Sequence, residues 1–224
     1  MKREIIFTLI AAFVILFAGC TKDNFDPPTS ILTGTITYNS SPVGVRSNGT
    51  QLELWQYGFK LRSKIAVYIA QDGTYSARLF DGNYKLVRLG GAPWVNQTDS
   101  INVTVSGATK VDVPVVPYFI ITGETFSYAG GVLSASCTVT KVGTVNIERL
   151  TLYVGATSIV DASNNGGKSD KTGSALSNLT VPLTYSYTVP TTLTSKSYIY
   201  VRIGVKTTGV GELLYTPVKK IQLN

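Results

Sequence analysis

The sequence contains no histidine. That absence removes the commonest general base, the usual zinc ligand and every nucleophile pair built on Ser–His or Cys–His. Cysteine is nearly absent as well, with Cys20 and Cys137 the two in the chain. Cys20 belongs to the N-terminal segment described below, so no internal disulfide is available. Cys137, flanked by Ser136 and Thr138 in a strand-like run, reads as a small core residue. Charge is sparse, at 15% of residues, and the basic side chains are scattered. Lys60, Arg62 and Lys64 form an alternating cluster, and Lys219 and Lys220 an adjacent pair. Neither makes the organised stripe that nucleic acid requires, so no nucleic-acid partner is expected.

The acids do not supply a catalytic pair either. A glycosidase could work with two carboxylates facing one another across a cleft. Here Asp72 sits in Gln71-Asp72-Gly73-Thr74 and Asp81 in Phe80-Asp81-Gly82-Asn83, Asp-Gly pairs between alternating apolar runs that mark hairpin turns. Glu53, Asp112, Glu124 and Glu148 each stand singly within or beside strand-like stretches, where a solvated face accounts for them. The expectation is a protein that is not an enzyme and needs no cofactor.

What the sequence does have is one long apolar run. Residues 5–18 follow Lys2 and Arg3 and lead to Gly19 and Cys20. Their 14 residues suit a secretory h-region and fall short of the roughly 20 needed to cross a bilayer as a helix. Residues 1–19 therefore read as a signal peptide. The segment Leu16-Phe17-Ala18-Gly19-Cys20 resembles the bacterial lipobox, with Phe17 where an aliphatic residue is usual. That resemblance implies that Cys20 is acylated and becomes the new N-terminus, an anchor worth about 0.8 kcal/mol per buried CH₂. Residues 20–30, polar and ended by Pro27 and Pro28, read as a tether. Lys22-Asp23 resembles the signal that sends Bacteroidota-type lipoproteins to the outer cell surface. The expected location is the outer membrane, held through lipid and facing outward. Loss of Lys2, Arg3 and Glu4 lowers the formal net charge from +7 to +6. A phospholipid surface or an acidic glycan is thus an open reading beside simple solvation of strand faces.

From Leu32 onward, short runs rich in Val, Ile, Thr and Tyr alternate with Gly, Asn and Asp, and no segment sustains a helical apolar period. Strands are predicted at 33–38, 51–56, 65–70, 74–79, 84–89, 100–105 and 110–115, enough for one sandwich. Pro114 and Pro117 would break central pairing and mark a boundary. A second set is predicted at 119–126, 132–139, 146–154, 183–189, 198–206 and 219–223, an Ig-like or fibronectin-like count. Between them, 161–179 is long and rich in Ser, Asn, Gly and Lys, and reads as a mobile loop. The fold class is therefore all-β, with two β-sandwich domains in tandem at 31–116 and 117–224.

The first domain opens Leu32-Thr33-Gly34-Thr35-Ile36 and continues through Gln71-Asp72-Gly73-Thr74-Tyr75 and Gly82-Asn83-Tyr84-Lys85-Leu86. It resembles the transthyretin-like, or carboxypeptidase-regulatory-like, sandwich. The phrases Asp23-Asn24-Phe25-Asp26-Pro27-Pro28, Gln51-Leu52-Glu53-Leu54-Trp55-Gln56 and Ala77-Arg78-Leu79-Phe80-Asp81-Gly82-Asn83-Tyr84-Lys85 are similar to an uncharacterised lipoprotein family, a domain of unknown function. Its members are encoded beside SusC-like transporters and SusD-like glycan-binding proteins. The resemblance implies SusC/SusD-like partners and an accessory role in capture or import of oligosaccharides. It supplies no catalytic residue.

Sugars stack their apolar faces on aromatic rings, with polar groups at the rim. In Gln51-Leu52-Glu53-Leu54-Trp55-Gln56-Tyr57 the alternation puts Leu52 and Leu54 on one face and Glu53, Trp55 and Tyr57 on the polar other. Trp94 lies in a Gly- and Pro-containing loop with Asn96, Gln97 and Asp99 nearby. Both tryptophans have two readings, contact with a glycan or packing. For Trp55 the packing is under a loop or the second domain, and for Trp94 it is a plug at the sandwich end. Tyr128, on a turn, is a third candidate. The segment from Asp161 through Ser163 and Asn165 to Gly166 matches the opening half of a calcium loop in donor spacing, but Thr172 stands where the bidentate Glu belongs. Asp99-Ser100-Ile101 resembles the short sequence at which Bacteroidota attach O-glycans, which would place one on Ser100. The rival to carbohydrate capture is a structural spacer or adhesion module that contacts proteins alone.

Overall fold

The computed structural model describes residues 26–58 and 63–223. The residues read as a signal peptide, Cys20 and most of those read as a tether lie outside the described residues. The first domain runs through β1 (Ser30–Tyr38), β2 (Ser41–Pro42), β3 (Gln51–Gln56), β4 (Lys64–Tyr68), β5 (Thr74–Leu79), β6 (Gly82–Arg88), β7 (Ser100–Val105), β8 (Ala108–Lys110) and β9 (Val113–Pro114). An antiparallel sheet in the order β4-β3-β6-β7 faces a second sheet built around β1, which pairs antiparallel with β5 and β2 and parallel with β8 and β9. The period of two decides what lies between them. Leu32, Ile36, Leu52, Leu54, Tyr84, Leu86, Val103 and Val105 point inward and are buried, and each buried aliphatic side chain contributes about 1.5–3 kcal/mol.

Gly34 of β1 is fixed by close approach. Between β8 and β9 the chain presses Val111 onto β1, and a Cβ at Gly34 would sit 1.8 Å from the Val111 carbonyl oxygen. That oxygen accepts the Tyr75 hydroxyl at 2.6 Å. The glycine in the opening motif thus lets a loop cross a core strand.

The second domain contains β10 (Phe119–Ala129), β11 (Val132–Lys141), β12 (Ile147–Gly155), β13 (Gly167–Thr172), a 3₁₀ turn (Gly173–Leu176), β14 (Leu183–Thr188), a single helical turn (Thr191–Thr194), β15 (Tyr198–Thr207), β16 (Leu214–Tyr215) and β17 (Lys219–Gln222). The sheet β10-β11-β14 packs against the sheet β13-β12-β15, to which β16 and β17 add along successive stretches of β15. Tandem sandwiches are thus the architecture. Cys137 is 1% exposed in this core, and burial pushes its thiol up to about 12.

One expectation fails here. Residues 161–179 are not a structureless loop, because β13 pairs with the edge of β12 from Arg149↔Thr172 to Val154↔Gly167. The strand is polar on both faces, which hides it from an apolar-periodicity reading. It is held by Thr151 donating to Asp170 at 2.6 Å and by Arg149 and Lys168 near the same carboxylate.

β12 and β15 are buried on both faces, the second face under Val160, Leu213 and Tyr215 of the same domain and, at Arg202, against the first domain. Arg202 of β15 is fully buried there. Its Nε donates to the Thr216 carbonyl at 3.1 Å, Nη1 to the Val45 carbonyl at 3.3 Å and Nη2 to the Gln71 carbonyl at 3.3 Å. Its Cζ lies 4.3 Å from the centroid of the Tyr215 ring. Desolvation lowers the guanidinium to about 10, still charged at neutral pH. At the rim, Arg46 and Glu212 form a two-pronged ion pair at 3.0 and 2.6 Å across the domains. Replacing Arg202 by Met strands carbonyls of both domains, and a buried acceptor left without its donor costs about 1–3 kcal/mol. Arg202→Met should therefore lower unfolding free energy by about 3 kcal/mol or more and split one calorimetric transition into two. An unchanged single transition would show that the interface does not depend on this residue.

Candidate functional site

The acids of the described residues are largely engaged in structure. Asp72 accepts from the Thr74 backbone N–H at 3.0 Å and its hydroxyl at 2.7 Å, which lowers its pKa. Asp81 accepts from Ser30 and the Gly107 N–H, with the same effect. Asp99 pairs with buried Arg88 at 2.5 Å and Glu53 with Lys64 at 2.7 Å. Asp161 is 2% exposed, and its Oδ1 accepts the backbone N–H groups of Ser163 and Asn164 at 2.8 and 2.9 Å. Asn165 turns its amide N–H toward the Asp161 carbonyl. The segment that resembled half a calcium loop is thus an Asp-capped turn. Among the described residues no cluster of three or more His, Cys, Asp or Glu could hold a metal ion.

The feature with binding character is the outer face of the sheet β4-β3-β6-β7. Its register sets the side chains in rows. Lys64, Trp55, Lys85 and Asn102 lie side by side across all four strands. On one side of this row come Ala66, Glu53, Val87 and Ser100. On the other, Asn83 and Thr104 pair across β6 and β7, and the Tyr57 N–H donates to the Asn83 carbonyl. Adjacent strands lie about 4.8 Å apart, so the row is a polar strip with an indole in it. Trp55 is half-buried and Tyr57 is 50% exposed. The indole N–H donates to Glu53 at 3.3 Å, which fixes the ring. Two shallow concavities of about 330 Å³ each flank Tyr57. One is lined by Trp55, Lys85, Val87, Thr98 and Ser100, the other by Asn83, Asn102 and Thr104. A larger open concavity, about 500 Å³, lies against Tyr68 and Lys110, but Lys110 there faces Asp112 at 3.6 Å and no tryptophan lines it.

The structure brings Trp55 and Ser100 into one concavity and sends the other candidates elsewhere. Trp94 is 2% exposed, so it offers no ring face to a ligand and packs as a plug. Its loop is pinned to the interdomain connector by Val95 N–H to the Val116 carbonyl at 2.8 Å and Tyr118 N–H to the Pro93 carbonyl at 3.3 Å, which presses the indole into the core. Asn96 is exposed on that loop and does not line the Trp55 concavity. Tyr128 sits on the second domain, half-buried against its core. Sequence reasoning passed over Lys85, Asn83 and Asn102 as members of the site. Their signal was the same alternation on β6 and β7, but which strands neighbour β3 is a matter of topology.

A family described as a protein of unknown function (DUF3823), N-terminal domain, matches residues 30–116, and a domain of unknown function, DUF3823_C, matches residues 119–220. No curated protein matches the chain. A DUF3823 family protein from Bacteroides ovatus is 37% identical, with a TM-score of 0.82, covering 87% of this chain and all of its own. One from Parabacteroides merdae is 33% identical, with a TM-score of 0.80, covering 88% of this chain and all of its own. A Bacteroides uniformis structure named "putative carbohydrate binding protein" shares the fold at 22% identity and a TM-score of 0.71, covering 88% of this chain and all of its own.

The two tryptophans should separate in measurement. Trp94→Ala should cost about 3–5 kcal/mol of unfolding free energy, as for a large aromatic removed from a core. Trp55→Ala should cost clearly less, and acrylamide should quench the fluorescence of Trp55 far more than that of Trp94. Equal quenching of the two would contradict this placement.

Proposed function

This chain belongs to the DUF3823 family, and from that premise we propose that it is a non-enzymatic, lipid-anchored carbohydrate-binding accessory of a SusC/SusD-like uptake complex at the outer membrane. The observation that carries the reading is the Trp55–Tyr57 face, an indole and a phenol ring set among amide, hydroxyl and ammonium groups on a rigid sheet. Such a face matches how a pyranose is held, by its C–H surface on a ring and its hydroxyls at the rim. The B. uniformis relative carries a carbohydrate-binding name over the same fold. The carboxylates engaged in turns and ion pairs support the absence of hydrolytic chemistry.

The spacer reading has its own support in the buried Arg202 clamp, which joins the domains into a stiff unit suited to holding partners at a distance from a membrane. The two readings part on one experiment. The full chain in detergent, tested against plant, host and microbial oligosaccharides, should bind at least one of them. Trp55→Ala should weaken that binding about tenfold or more, a loss of about 1.4 kcal/mol, while Trp94 variants act through stability alone. Absence of binding to every glycan would leave the spacer as the better account. For the anchor, Cys20→Ser should abolish incorporation of labelled palmitate and release the protein from the membrane fraction. Retention of label would place the acylation elsewhere.

A further inference from the structure

Lys85 occupies an unusual place on the aromatic face. β6 lies between β3 and β7, so this ammonium rises from the middle of the sheet, with Trp55 beside it on one strand and Asn102 on the other. Its Nζ lies 5.6 Å from the centroid of the Tyr57 ring. The face holds one carboxylate, Glu53, and that group is closed off. Its side chain is 10% exposed, Lys64 donates to one oxygen at 2.7 Å and the Trp55 indole to the other at 3.3 Å. The neighbouring acids turn away as well, Asp99 to Arg88 and Asp81 to Ser30 and Gly107. Among the described residues Lys85 forms no ion pair. Among the described residues the face is left with one unmatched positive charge, exposed and next to the ring on which a sugar would stack.

An exposed charge needs no partner to be stable in water, so its position is what matters. At about 4.8 Å between strands, a pyranose lying on Trp55 brings its ring substituents within reach of Lys85. A hydroxyl there would gain an ordinary hydrogen bond, whereas a carboxylate or sulfate would gain a charge-assisted one, which is shorter and stronger. Lys64, on the opposite side of Trp55, is already committed to Glu53, so the anionic group has one favoured end. We infer that the Trp55–Tyr57 face selects anionic glycans, with Lys85 receiving the uronate carboxylate or sulfate. The inference rests on the carbohydrate-binding reading above and deepens it.

The test uses the full chain in detergent, titrated calorimetrically with oligogalacturonate and its methyl ester, hyaluronan and its methyl ester, chondroitin sulfate, and neutral cello-, xylo- and malto-oligosaccharides. At least one anionic glycan should bind. A carboxylated one should bind about fivefold tighter than its ester at low ionic strength, the scale of an exposed ion pair, with the difference shrinking as salt is raised. Lys85→Gln should bring the acid-to-ester ratio to about one, and Trp55→Ala should weaken both. Binding of chondroitin sulfate alone, lost in Lys85→Gln, would assign the site to sulfate. Tight binding of neutral glycans only, or an acid preference that survives Lys85→Gln, overturns the inference and leaves the carbohydrate-binding reading standing. Binding to nothing in the panel overturns both.

Discussion

A charged guanidinium buried without a carboxylate is an expensive group, because desolvation alone costs several kcal/mol and each unmet N–H adds to it. Arg202 is such a group, and the way its donors are met explains how the two sandwiches are joined. Its donors reach carbonyls on both domains, and the Tyr215 ring takes the open face of the cation. The domains have to approach closely for this to work, and the sequence makes room. A Cβ at Gly44 of the first domain would stand 2.5 Å from the Tyr215 carbonyl oxygen, and within the second domain one at Gly204 would stand 2.7 Å from the Tyr215 ring that covers the cation. The Gly44–Tyr215 bridge and the Arg46–Glu212 pair extend the same seam.

The seam and the aromatic face use different parts of the first domain. The interface draws on the stretch from Gly44 to Arg46, on Gln71 and on Gly91, at connections between strands. The aromatic face comes from the C-terminal end of β3 and from its neighbours β6 and β7. Docking of the second domain therefore fixes the first without covering Trp55 or Tyr57. A face on paired strands is also preorganised, since the backbone ladder sets the spacing of its side chains and little ordering is left for binding. The Glu53 carboxylate adds to this by holding both the Trp55 indole and the Lys64 ammonium.

Much of this architecture was legible in the chain. The Asp-Gly pairs marked turns, and Gly73 does adopt the left-handed φ of +86° that such a turn needs. Most predicted strands are present within a few residues of their expected ends. Short or polar strands escaped, namely Ser41–Pro42, Ala108–Lys110, Gly167–Thr172 and Leu214–Tyr215, because two or three residues carry no period and a strand polar on both faces carries no apolar one. Trp55 was placed on the polar face by alternation alone, and that is where it lies.

The sequence by itself determined the class of fold, the turns and the two-sided sorting of each strand, because these follow from a side-chain period of two and from local backbone preferences. It could not determine what covers a given face. By alternation Arg202 belongs with Tyr200 and Gly204 on the outer side of β15, the side that in a lone sandwich meets water, and docking of the other domain buried it. Trp94, in a loop with polar neighbours, could equally have faced out, until pairing of its backbone with the connector turned it into the core. Strand order likewise brought Lys85 beside Trp55 across 30 positions of chain. Burial and adjacency are sums over contacts distant in sequence, and only the packed tertiary structure evaluates them.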